Sequence, residues 1–129
     1  MSKAFAVARI LTGLIFVVFG LNGFLNFIPM PPPTGVAGQF LGALVASHYL
    51  IVIFLAQLIP AVLLLLNRYV PLALALLGPV IVNILCFHAF MAPAGLPLAF
   101  LVAFLWIVTF ISVRSAFAGL FRPRISSQA

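Results

Sequence analysis

"YLIVIFLAQLIPAVLLLLNRYVPLALALLGPVIVNILCFHAF", residues 49–90, holds two long apolar runs separated by only three polar or aromatic residues, Asn67, Arg68 and Tyr69. A span of lipid hydrocarbon needs roughly 20 consecutive mostly apolar residues, and both 49–66 and 70–90 are near that length. With a three-residue connection, the second run must return beside the first. This predicts an antiparallel pair of membrane helices.

Two further runs flank the pair, at 6–28 (AVARILTGLIFVVFGLNGFLNFI) and 96–114 (LPLAFLVAFLWIVTFISVR). The first has Lys3 and Arg9 before or at the start of an apolar stretch, as a signal peptide would. No small-x-small cleavage site closes it, however, and its apolar character continues through Phe27, so it reads as a retained helix. Composition agrees with a membrane protein. Of 129 residues, 67% are hydrophobic, 5% are charged, and none is Asp or Glu. Soluble domains usually carry about a quarter charged residues. The expected fold is all-α: a single domain over 1–129, built as a four-helix transmembrane bundle.

The connection at 29–48 adds a fifth element. "PMPPP" (29–33) is a polyproline-type spacer that cannot be helical. It is followed by "GVAGQFLGALVAS" (35–47), which has helical spacing but is too short to span. A short interfacial or re-entrant helix is expected there, between the first and second spans. It is either a plain connector or a lid over a site. Gly38, Gly42 and Ala46 form a ridge of small residues that could pack against a neighbouring helix. The tail 121–129 is polar and expected to be loosely ordered.

The six basic residues mark the sidedness. Lys3 and Arg9 open the first span, Arg68 joins the second and third, and Arg114, Arg122 and Arg124 end or follow the fourth. Four spans therefore put all six at one end. By the positive-inside rule that end is cytoplasmic, with both termini. The net charge of +6 is spread in this way without forming a patch, so lipid is the expected partner and nucleic acid is not.

Topology then gives depth. Asn22, Gln57 and Asn83 come from three different spans, and each falls roughly 9–12 Å below the outer boundary at 1.5 Å per residue. An unpaired amide in hydrocarbon costs several kcal/mol, so the three are expected to face one another or a wet cavity. They are either interhelical glue, worth about 0.6 kcal/mol per contact, or a pocket that takes a ligand. Asn26 lies one turn above Asn22 on the same stripe, and His88, His48 and Gln39 lie nearer the outer surface. Asn22, Asn26, Gln57, Asn83 and His88 are the candidate ligand-binding residues. His88 would either meet headgroups and water or handle protons.

Pro60 and Pro79 are interior to their spans and should kink them. The freed backbone should then pack against protein. Trp106 and the pair Thr109 and Ser112 read as packing. The single Cys86 excludes an internal disulfide and, embedded in an apolar run, has little reason to ionise.

Several chemistries are excluded. Without carboxylates there is no acid–base pair and no acidic proton relay. Two histidines and one embedded cysteine make a poor metal set, so no metal and no catalytic residue is assigned. Any reaction would need a bound cofactor or a partner subunit to supply the reactive group.

"GLIFVVFGLNGFLNFIPMPPP" (13–33) and "NRYVPLALALLGPVIVNILCFHAF" (67–90) resemble the DoxX-like family of small four-helix bacterial membrane proteins, over nearly the whole chain. The resemblance implies the four-helix fold. It also implies a redox-linked, quinone-associated membrane subunit, since some members are subunits of a thiosulfate:quinone oxidoreductase and others are linked to membrane redox complexes. A quinone-like molecule and a membrane or redox partner protein are thus the expected cofactor and partner. Members often have a Lys where this sequence has Gly23, and a Glu where it has Gln57. That departure removes the intramembrane ion pair but leaves a neutral hydrogen-bonding pocket. A non-catalytic scaffold in a larger membrane complex and a small-molecule transporter remain as alternatives.

Overall fold

The computed structural model describes residues 2–127, all in helices and connections. The five α-helices are α1 (Lys3–Leu25), α2 (Gly35–Ala46), α3 (Tyr49–Leu66), α4 (Val70–Phe90) and α5 (Leu96–Ser112). Two 3-10 segments, Pro93–Gly95 and Arg114–Phe121, lie before and after α5. α1, α3, α4 and the segment containing α5 are each long and apolar enough to cross a membrane, and α2 is the shorter helix between the first two spans. The chain is a multi-pass integral membrane protein.

Local sequence explains the ends. α1 begins at Lys3, before the apolar run, because the Ser2 hydroxyl accepts the Phe5 N–H at 3.4 Å as an N-cap. It stops at Leu25 because Asn26 takes the left-handed conformation (φ 51°, ψ 41°) and closes the helix with its N–H on the Asn22 carbonyl. Left-handed residues also mark the next two junctions: His48 between α2 and α3, and Asn67 and Tyr69 on either side of Arg68. Asparagine tolerates this region well; histidine and tyrosine adopt it at a cost.

The four long helices form a ring in which α1 packs on α3 and α5, and α4 packs on α3 and α5. Their inward faces supply Phe16, Ala61, Leu64, Ala73, Leu74, Leu77, Ile81 and Val102 to one core. The outward faces remain apolar, with Val18, Val52, Ile59, Val82, Phe104 and Ile107 among the exposed residues. Apolar residues on both faces are what a helix between protein and lipid requires. Gly13 and Gly20 line the α1–α3 seam. A Cβ at Gly13 would lie 3.1 Å from the Ala61 carbonyl oxygen, and one at Gly20 would lie 2.8 Å from the Leu58 side chain. Missing side chains let these two backbones approach closely.

Three features depart from the sequence expectations. The small-residue ridge of α2 does not seat a neighbouring helix: Gly42 faces open space, and Gly38 instead backs onto the Pro33 carbonyl of the incoming proline spacer. Pro33, the residue before the Thr34 N-cap, occupies that approach. Pro60 is enclosed as expected, but Pro79 is exposed on the outer face of α4. Carbonyls of α4 beside that proline are served by polar side chains: Trp106 Nε1 donates to the Leu74 carbonyl at 3.0 Å, and Asn83 to that of Pro79 at 2.8 Å. The third departure follows α5. The 3-10 segment Arg114–Phe121 folds back and buries Phe117 against Phe110, ring centroids 4.8 Å apart. Beyond it, residues 122–127 are exposed and irregular. Gln128 and Ala129, the end of the 121–129 tail, lie outside the described residues, as does Met1.

Candidate functional site

The amides at matched depth do not converge, because each asparagine is occupied close to home. Asn22 is buried, but its side chain turns to the chain segment leaving α1. Its Oδ1 accepts the Ile28 N–H at 2.7 Å, and its Nδ2 lies 3.5 Å from the Ile28 carbonyl. The left-handed turn at Asn26 brings Ile28 back over the last turn of α1, and Asn22 satisfies a backbone that would otherwise be bare. Asn83 is exposed on the outside of α4, away from Asn22 and Gln57. Its Nδ2 donates to the carbonyl of Pro79 four residues back, so the helix itself satisfies one of the amide's two N–H groups.

Gln57 remains. It is buried on the inward face of α3, one turn below Phe54. No hydrogen bond joins its side chain to another described residue, yet its amide is not among the fully enclosed unpaired atoms. Among the described residues it is the buried amide whose side chain makes no hydrogen bond.

His88, half-buried near the end of α4, also has a local role. Its Nδ1 lies 3.1 Å from the Ala92 carbonyl, its ring meets Phe87 edge-on at 5.1 Å, and Gly95 leaves room for the imidazole. It fastens the α4–α5 turn. Among the described residues, no cluster of three or more His, Cys, Asp or Glu could hold a metal ion.

A half-open cavity exists at this end of the molecule, between α1, α2 and α3, with Phe24, Asn26, Val45, His48 and Ile51 of its lining exposed. It has a volume of about 350 Å³ and is lined by Gly23, Phe24, Asn26, Val45, His48, Leu50, Ile51 and Phe54. The local chain path creates it. Asn26 and His48 are the left-handed turn residues at the end of α1 and the start of α3, so both side chains sit at the rim. α2 supplies Val45 as one wall and crosses toward α4, where Phe40 meets Phe87 with centroids 5.8 Å apart. Phe24 and Phe54 face each other at 5.9 Å and 59°. Gly23 is required for this pairing, since a Cβ there would overlap the Phe54 ring.

Of the five candidate residues, Asn26 alone lines this cavity, while Asn22 and Gln57 lie beneath it on α1 and α3. His48, which the sequence puts nearer the outer surface without making it a candidate, lines the cavity as well.

Comparison with protein-family models, with curated proteins and with solved structures finds no match for the chain.

Proposed function

We propose that this chain is a bacterial inner-membrane subunit, DoxX-like in kind, with both termini cytoplasmic. Its outer-end cavity holds a small amphipathic molecule with a quinone-like head. The carrying observation is the cavity's chemistry: two polar side chains, Asn26 and His48, at the rim over an apolar floor that includes the Phe24–Phe54 pair. Its volume, about 350 Å³, falls within the ordinary range for small-molecule sites. A quinone head presents two carbonyl acceptors on a flat ring. Asn26 Nδ2 and an imidazole N–H can donate to the carbonyls, and the phenyl rings offer faces to the ring.

The protein's part is to bind and orient. With no carboxylate side chain in the sequence, electrons and protons would come from a membrane or redox partner protein. Gln57, beneath the cavity and free to bond, is available to a tail or a second polar group that reaches deeper.

A ubiquinone analogue with a decyl tail tests this in detergent micelles. Saturable retention is expected for the unaltered protein, together with an endogenous small molecule seen by mass spectrometry after mild purification. His48→Leu should weaken retention by about tenfold, the worth of one hydrogen bond at roughly 1.4 kcal/mol, and Leu50→Trp should fill the cavity and abolish it. Non-saturable partitioning, identical in all three proteins, would sink the proposal.

A further inference from the structure

At the opposite end of the bundle, Arg9 carries a charge that no side chain of this protein can answer. It sits in the first third of α1 and is only 8% exposed. Nη1 donates to the Leu64 carbonyl near the end of α3. Nε is enclosed and has no partner, the only such side-chain atom among the described residues. A guanidinium has five N–H donors in a planar fork. The carboxyl end of α3 offers it only a fraction of a negative charge.

The usual counter-charge cannot be found elsewhere, since the sequence contains no Asp or Glu. No hydroxyl among the described residues accepts from it: the bonds of the two buried threonines, Thr12 and Thr109, run to the Ala8 and Leu105 carbonyls at 2.7 and 2.8 Å. A buried cation left in this condition is strongly disfavoured. No side chain of this sequence can supply the missing negative group.

Position identifies its chemistry. Arg9 is six residues past Lys3, roughly 9 Å along the helix axis. Helical side chains lean toward the N-terminus of their helix, which carries the guanidinium toward the headgroup level at this end. Lys3, Arg68 and Arg114 are exposed around the same end. A phosphodiester has the charge and the paired oxygens that match a guanidinium edge. Lipid headgroups place phosphates at that depth.

We propose that the basic end of the bundle holds an anionic phospholipid, its phosphate bonded to Arg9 at Nη2, the terminal nitrogen that Leu64 leaves free and that, unlike Nε, is not enclosed. The site rests on the four-span reading and is independent of the cavity at the other end, so either can fail alone.

Thermal unfolding and native mass spectrometry of the detergent-solubilised full chain test it. The three additions are dioleoyl phosphatidylglycerol, dioleoyl phosphatidylcholine and inorganic phosphate. Phosphatidylglycerol is expected to raise the unfolding temperature and to bind roughly fivefold or more tightly than phosphatidylcholine, the effect of about one basic contact. Inorganic phosphate should do neither.

Arg9→Gln should lose the preference, while Arg114→Gln, at an exposed position, should keep most of it. Should Arg9→Gln not fold, Arg9→Lys retains the charge without the fork, and its preference should fall below that of the unaltered protein. Equal effects of the two lipids, or a preference untouched by either Arg9 variant, would overturn the site. Inorganic phosphate matching the lipid would replace the lipid with a free anion. A co-purifying protein lost in Arg9→Lys, with no lipid preference, would assign the counter-charge to a partner's carboxylate and overturn the proposal.

Discussion

Asn22 and Gln57 are both buried amides, but one is committed and the other is not. Asn22 holds the N–H and faces the carbonyl of Ile28. Asn22→Leu should therefore strand two backbone groups and cost about 1–3 kcal/mol. Gln57→Leu removes an amide that bonds to nothing in the bundle, so stability should hold or rise slightly. Chemical unfolding in mixed micelles measures both, and a Gln57→Leu loss as large as that of Asn22→Leu would show a partner for Gln57 within the fold. Sequence depth placed these residues at one level but could not disclose their directions. Asn22 looked available because nothing in "GLNGFLNFIP" announces that Asn26 turns left-handed and returns Ile28 over it. Arg9 was legible as a marker of sidedness, and its burial was not, because a basic residue at a span's end usually reaches water.

At the scale of the element, the helices were readable and their neighbours were not. Length and unbroken apolar character define α1, α3, α4 and α5, and the proline spacer isolates α2. Both α1 and α2 carry small residues at helical spacing, however, and only α1 uses them against another helix. The choice depends on Ala61, Leu58 and Leu65, which are far away in sequence. The two helices should accordingly respond in opposite ways to added bulk. Gly13→Leu forces α1 away from α3 and should cost about 1–3 kcal/mol. Gly42→Ala, on an open face within α2, should stabilise by up to about 1 kcal/mol through helix propensity alone. Unfolding midpoints of the two variants in one detergent give the comparison; a destabilising Gly42→Ala would mean that α2 meets a partner there.

For the whole molecule, the governing asymmetry is charge. One end gathers every basic side chain, and the other carries two histidines, the cavity and α2. On the proposed orientation, Thr34→Cys in a Cys86→Ala background should label on intact cells with an impermeant maleimide. Ser126→Cys should label only after permeabilisation. The reverse pattern would invert the protein and move the cavity to the cytoplasmic face.

The molecule also contains its own lamp. Trp106 is the sole tryptophan. It lies flat on Phe110, with centroids 5.3 Å apart and planes 7° from parallel, and its indole N–H reaches across from α5 to the Leu74 carbonyl of α4. Ultraviolet emission excited at the indole edge therefore comes from a single place, the α4–α5 seam near Pro79. A shift in its colour reports movement at that seam, with no engineered dye.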